Sequence, residues 1–159
     1  MSEAEALEAL QSGDRARIAA GEAALWAMWC RSGRPEHDGL LAQGVAALER
    51  RDFVTGTKIF TRLIDAAPDW AEAWNKRATA RYLARDFAGA IRDCEATLLR
   101  KPHHFGALSG QGLCHMALGQ YREAAELFRR TLAVHPHLEA ARHNLAAALG
   151  EVVKSNGHA

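Results

Sequence analysis

Apolar residues recur every three to four positions in a series of short runs, and polar turns separate one run from the next. That spacing places apolar side chains on one face of an α-helix. Turns of one kind split the runs into pairs: Arg51-Asp52, Arg85-Asp86 and Gly119-Gln120. A proline, which cannot continue a helix, follows the second run of each pair: Pro68, Pro102 and Pro136. The pattern therefore predicts helical hairpins and an all-α chain.

Residue types return at an interval of 34 positions, so the hairpins are copies of one unit. One column of the repeat holds small residues, Gly44, Ala78 and Gly112, and another holds aromatic residues, Phe53, Phe87 and Tyr121. Three further columns are Leu40/Trp74/Leu108, Gly56/Ala90/Ala124 and Phe60/Cys94/Phe128. Because one hairpin cannot bury its apolar face alone, we expect the hairpins to stack into a solenoid.

Composition and charge narrow the class of protein further. Alanine is abundant, with 33 of 159 residues, and prolines number only four, which favours helix over sheet. The formal net charge is +1 and basic residues are interleaved with acidic ones, so we expect no nucleic-acid partner. We also expect no membrane association, because the acidic N-terminus is unlike a signal sequence and the longest apolar stretch there, 23–30, is too short for a bilayer.

Candidate chemistry is sparse. The three cysteines, Cys30, Cys94 and Cys114, are widely spaced and form no Cys-x-x-Cys pair, so they predict free thiols and a cytoplasmic location. Adjacent or alternate loop histidines suit zinc poorly, and we expect no metal site. No nucleophile motif or phosphate-binding loop is present, and we expect no catalytic residue and no cofactor.

The period, the small-residue columns, Trp74, the turn–aromatic pairs and the closing prolines resemble the tetratricopeptide repeat (TPR) family, and short bacterial members in particular. The resemblance covers three full units, 37–70, 71–104 and 105–138. One departure is Cys94, which stands where its column otherwise holds an aromatic residue. The resemblance implies a curved α-α superhelix in which the first helix of each hairpin lines a concave groove.

The two ends are predicted to close the solenoid. Residues 139–154 have the spacing of an amphipathic capping helix, and 155–159 are expected to be frayed. Residues 1–36 predict N-terminal helices that are either a degenerate repeat or a cap. Trp26 and Trp29 then either pack on the first full repeat or form an exposed patch for a partner or for self-association.

The resemblance assigns the binding surface to one stripe of the first helices and the capping helix. The first part of this stripe is apolar, and its centre holds polar and aromatic side chains. Its last part contains both apolar and polar side chains. Its predicted members are Leu41, Val45, Leu48, Asn75, Lys76, Thr79, Tyr82, Ser109, Leu113, Met116, His143 and Asn144. Gly110 is predicted to lie on the same groove surface, and it costs about 1 kcal/mol of helix propensity relative to alanine.

These positions predict a non-catalytic scaffold that holds a peptide or helix of a partner protein in the groove. Some family members capture an acidic C-terminal carboxylate with basic and amide side chains on successive first helices. Here the matching positions hold Leu41 and Val45 in the first unit and Gly106 and Gly110 in the third. Suitable chemistry is left only at Asn75, Lys76 and Asn144, which favours a segment with apolar anchors. The alternative function is a structural subunit that homo-oligomerises through the tryptophans or a terminal helix.

Overall fold

The computed structural model describes residues 1–157, which form nine α-helices and no strand. The all-α solenoid expected from the repeat is confirmed. The helices are α1 Glu3–Leu10, α2 Arg15–Trp29, α3 Pro35–Glu49, α4 Phe53–Ala66, α5 Ala71–Leu83, α6 Phe87–Arg100, α7 Phe105–Ala117, α8 Tyr121–Val134 and α9 Glu139–Gly157. Helices α3 to α8 pair as three hairpins that stack in chain order, and α9 packs on α8. Within residues 1–157, no helix is long and apolar enough to cross a membrane.

The three hairpins turn in the same way at the positions expected from the sequence. The second residue after each first helix has a positive φ, and these residues are Arg51, Arg85 and Gly119, with φ values of 61°, 66° and 72°. The next backbone N–H donates across the helix end, as from Asp52 to the Ala47 carbonyl at 2.8 Å. Asp52 also caps α4 by accepting from the Thr55 N–H. Each turn thus ends one helix and begins the next within three residues.

Within a hairpin, a large side chain of the second helix fits against a glycine of the first. The ring of Phe60 is fully buried beside Gly44, and a Cβ built at Gly44 would overlap it. Phe128 and Gly112 repeat this arrangement, where a Cβ would come within 2.6 Å of the ring. The middle hairpin pairs Ala78 with Cys94 in the same columns, so its large side chain is missing.

An ion pair joins the two helices of the middle hairpin next to Cys94. Asp93 of α6 is buried and accepts from Arg77 Nε at 2.9 Å and Arg77 Nη2 at 2.8 Å. Arg81, one turn further along α5, donates to the same carboxylate at 2.9 Å. A guanidinium that grips a carboxylate with two parallel bonds fixes both direction and distance. The bonds from Arg77 and Arg81 to Asp93 therefore hold α5 and α6 at a fixed distance beside Ala78 and Cys94.

The first two helices form a hairpin that does not extend the stack in line. This N-terminal hairpin (α1 and α2) lies along the loops that join successive repeats, where its contacts reach all three repeats. Lys101 bonds Glu3 at 2.8 Å, and Gln11 Nε2 donates to the Val134 carbonyl at 2.8 Å. Trp70 Nε1 donates to the carbonyl of Trp29 at 2.9 Å. The first of these bonds pairs two charged side chains, and the other two donate to backbone carbonyls at the C-terminal ends of helices, which have no partner within the helix.

The C-terminal capping helix is longer than the sequence predicted. It continues to Gly157, three residues past the expected end at 154, and Lys154 and Ser155 bond Glu151 in its last turns. Arg122 of α8 also donates to the Asn156 side chain at 2.8 Å, so hydrogen bonds hold residues 155 and 156 of the segment that was expected to be frayed. Residues 158 and 159, the rest of that expectation, lie outside the described residues.

Two glycines of α3 test the tight fit inside a hairpin. Gly44→Ala should lower the free energy of unfolding by about 1–3 kcal/mol, because the new methyl group meets the Phe60 ring. Gly39→Ala in the same helix has nothing within 4 Å and should raise that free energy by about 0.5–1 kcal/mol. Urea unfolding of both variants measures the difference. Equal effects from the two substitutions would contradict the packing account.

Candidate binding pocket in the concave face

The concave face contains an apolar pocket between α5 and α7, with α6 as its floor. Its volume is about 270 Å³. Four predicted groove residues line it: Asn75, Thr79, Tyr82 and Leu113. The other lining residues are Ala78, Leu83, Cys94, Gly106, Gly110 and Cys114. We call this space the middle pocket, because it lies at the junction of the second and third repeats.

Small side chains on the floor leave the middle pocket open. Cys94 is buried at the base, and its Sγ would lie 3.8 Å from a Cβ built at Gly110. Burial raises the pKa of Cys94, and it raises the pKa of Cys114 to about 11. Both thiols are therefore uncharged at neutral pH and act as small apolar groups.

The polar side chains of the middle pocket stand on α5. Thr79 is exposed, and its hydroxyl donates to the Asn75 carbonyl at 3.2 Å, which leaves the hydroxyl oxygen free to accept. The Tyr82 ring packs edge-on against Phe87, with centroids 5.6 Å apart. The pocket thus combines an apolar interior with a few polar groups along one wall, the usual make-up of a ligand site.

A buried polar cluster supports this wall from behind. Glu72 and His104 are both fully buried, and His104 Nε2 lies 2.8 Å from Glu72 Oε2. His104 Nδ1 accepts from the Ala107 N–H, which assigns the proton to Nε2 and makes it the donor to Glu72. Asn75 Nδ2 donates to the other oxygen of Glu72 at 3.0 Å. Asn75 is therefore committed to the cluster through its NH₂ group.

Lys76 also belongs to this cluster. Its Nζ lies 3.4 Å from Glu72 and 5.5 Å from the centre of the Trp26 ring. Burial alone would raise the pKa of Glu72, but the hydrogen bond from His104, the charge of Lys76 and the amide of Asn75 outweigh it and lower that pKa. Lys76 is engaged within the chain, although the sequence placed it on the groove edge as a contact for a ligand.

The two predicted tryptophans cover this end of the concave face. Trp29 is 4% exposed and stacks on His104, with centroids 4.1 Å apart. Trp26 packs edge-on against Phe105, and its ring touches Gly106 so closely that a Cβ there would come within 2.7 Å. The predicted patch is therefore not exposed at Trp29. Packing on the first full repeat is only part of the contact: Trp70 of that repeat bonds the Trp29 carbonyl, whereas the aromatic partners His104 and Phe105 lie where the second repeat meets the third.

Other predicted groove residues belong to the core or to the far end. Leu41 is 5% exposed and lies in one apolar cluster with Phe60, against which Val45 and Leu48 pack, so the first hairpin offers less surface than expected. Met116 packs on the cluster around Phe128. Three predicted residues lie beyond the middle pocket, half-buried or exposed: Ser109, His143 and Asn144.

Sequence reasoning missed the floor of the middle pocket. Ala78, Cys94 and Cys114 were assigned only to packing, and Leu83 was not selected. The signal that could have found them is the repeat itself, because Cys94 is the one small residue in a column of phenylalanines. A small residue in place of a large one at a junction leaves space unless a neighbouring position holds a larger side chain that fills it.

Glu72 makes stability depend on pH in a defined direction. Its pKa is lower in the folded chain than the ordinary 4.5, so the folded state binds fewer protons and gains stability as pH rises. Glu72→Gln should lower the free energy of unfolding by about 3 kcal/mol at pH 7, because it leaves the charge of Lys76 unpaired. The difference from wild type should shrink as pH falls below 4.5. Urea unfolding from pH 7 to pH 3 measures it.

The matched control is Glu126→Gln on the exposed face of α8, which should change stability by less than about 0.5 kcal/mol at every pH. A Glu72→Gln effect of the same size at pH 3 and pH 7 would show that the carboxylate is not stabilised by its neighbours.

Comparison with known proteins agrees with this architecture. Two models of the tetratricopeptide repeat match residues 41–104 and 81–149. A TPR repeat-containing protein of Rhizobium etli is 29% identical over 108 residues, which cover 68% of this chain and 53% of that protein. The chain thus spans about half the length of this relative.

Solved structures give the same fold. The Sgt2 TPR domain from Aspergillus fumigatus superposes with a TM-score of 0.74 at 22% identity, over 77% of this chain and 83% of that one. The first TPR of Spaghetti (RPAP3), bound to the HSP90 peptide SRMEEVD, superposes with a TM-score of 0.72 at 22% identity, over 74% and 93% of the two chains. With its three stacked hairpins and the two matching repeat models, this chain belongs to the tetratricopeptide repeat family.

Proposed function

We propose that this chain is a non-catalytic interaction module that holds a segment of a partner protein in its concave face. The observation that carries the proposal is the middle pocket, an apolar space with Thr79 and Tyr82 along one wall. An extended or helical segment can insert an apolar side chain there while its backbone bonds the polar wall. We further propose a cytoplasmic location, consistent with the three free cysteines.

The chemistry of the concave face favours an apolar anchor over an acidic chain end. The neighbour described above binds a peptide that ends in Glu-Glu-Val-Asp. In this chain, Lys76 is already paired with Glu72, and Gly106 and Gly110 carry no charge at the positions where the resemblance implies basic side chains. A carboxylate placed beside the middle pocket would therefore lose water without gaining a counter-charge.

The alternative is a structural subunit that assembles with copies of itself through the terminal helix. Val153 is 69% exposed and Leu149 is 36% exposed on α9. The other half of this alternative, self-association through the tryptophans, loses support because Trp29 is buried. Two exposed apolar side chains on a helix are common on monomers, which leaves partner binding as the favoured proposal.

A matched pair of substitutions tests the concave face. Thr79→Arg places a long charged side chain at the middle pocket, and Val54→Arg makes a similar change at an exposed position of α4. We expect capture of a partner from host lysate, quantified by mass spectrometry, to fall at least about tenfold for Thr79→Arg, since a charge must then be buried or the anchor excluded. Val54→Arg should capture as wild type does.

Thr79 is preferred to Asn75 for this test because Asn75 bonds buried Glu72 and its loss would disturb the fold. Circular dichroism on all three baits checks that the helices remain. If Thr79→Arg retains the same proteins as wild type, the concave face is not the binding surface. A mass that rises with concentration and falls with Val153→Glu would favour self-assembly instead.

A further inference from the structure

The junctions between repeats can be compared position by position, because the chain contains the same junction more than once. Where the first repeat meets the second, three positions hold Phe60, Glu72 and Lys76. A shift of 34 residues leads to Cys94, Gly106 and Gly110 where the second meets the third. Three large or long side chains are thus replaced by small ones at a single junction, and the middle pocket opens there.

The two glycines of this junction have different explanations. Gly106 is required by the N-terminal hairpin, because Trp26 would lie 2.7 Å from a Cβ at that position. Gly110 has no such requirement: a Cβ there would meet only Cys94 Sγ at 3.8 Å, an ordinary contact. It stands within α7 with a normal helical φ. A glycine in a helix lowers stability relative to alanine, so Gly110 weakens the fold without improving its packing.

The pocket also defines the chemistry of what it can take. Its base is formed by neutral thiols and aliphatic carbons, and the nearby cation Lys76 is paired with Glu72. A charged or strongly polar group would lose its hydration without compensation. In the first and third hairpins, the column of Cys94 holds a phenyl ring that is fully buried, which is an internal template for an occupant of this size.

We propose that the middle pocket takes the aromatic ring of a phenylalanine-like side chain from the bound partner segment, supplying the ring that Cys94 does not provide. This inference rests on the proposed function and specifies its anchor. The Ala78 methyl group lines the pocket together with Cys94, and the ring enters from the concave side and lies against Gly110. Thr79 and Tyr82 then flank the backbone on either side of the anchor.

The test uses the full chain and a small probe of known chemistry. N-acetyl-L-phenylalaninamide is titrated into the ¹⁵N-labelled protein, with N-acetyl-L-leucinamide and the charged N-acetyl-L-glutamate amide as comparisons. We expect the phenylalanine probe to shift amides of 78–83 and 106–114 and to bind more tightly than the leucine probe, with no shift from the glutamate probe. Shifts elsewhere only, or none up to the solubility limit, overturn the proposal.

Gly110→Ala separates a binding role from a structural one, because the two predict opposite results. It should raise Tm by about 2–4 °C through helix propensity, yet weaken the phenylalanine probe about tenfold through the lost space. Gly150→Ala is the matched control: it lies within α9 with nothing near its Cβ, and should raise Tm without changing the affinity. A lower Tm for Gly110→Ala, or unchanged probe binding, overturns the inference.

The result also distinguishes this inference from the proposal on which it rests. If the probe does not bind but Thr79→Arg still abolishes capture of a partner, the concave face binds without an aromatic anchor. If the probe does not bind and Thr79→Arg captures as wild type does, both proposals fail.

Discussion

A helical hairpin of this length has one apolar face and cannot bury it without a neighbour, so every feature of the chain depends on how closely hairpins pack. Within each hairpin, the distance between the two helices is set by pairs such as Gly44 with Phe60, in which one helix has no side chain and the other inserts a ring. Because interiors are packed as densely as organic crystals, the pair fixes the distance between the helices. The hairpin with Ala78 and Cys94 follows a different rule, and the chain compensates with the paired guanidinium groups on Asp93.

The N-terminal hairpin packs on the edge of the stack that is formed by the loops between repeats. The loops between repeats present buried side chains and open helix ends at regular intervals, and α2 lies across them with Trp29 on His104 and Glu22 on His135 at 2.9 Å. Trp26 reaches the end of the concave face beside Gly106. The hairpin therefore forms part of the wall behind the middle pocket as well as covering the stack.

Much of this architecture was predictable from the sequence because it repeats. The turns at Arg51, Arg85 and Gly119 and the helix ends before the prolines follow from local chemistry that acts within a few residues. The docking of Trp29 was not predictable, because it depends on His104, which lies 75 positions later in the chain. A local sequence pattern does not predict which distant loop an aromatic side chain packs against.

The candidate site divides in the same way. Helical spacing put Thr79 and Tyr82 on the face that lines the middle pocket, since the face of a helix follows from its period. Spacing could not show that Leu41 is buried or that Lys76 is paired with Glu72, because those outcomes depend on neighbouring helices. The sequence shows Cys94 as the small residue in a column of phenylalanines. Only the structure shows that no neighbouring side chain fills the space beside it.

The most direct measurement of the central claim is a set of intermolecular nuclear Overhauser effects between the ring protons of bound N-acetyl-L-phenylalaninamide and the ¹³C-labelled chain. The account predicts contacts from the ring to Gly110 Hα and to the β protons of Cys94, which define the floor of the middle pocket. Ring contacts confined to the exposed helices or to the outer face of the N-terminal hairpin would contradict it.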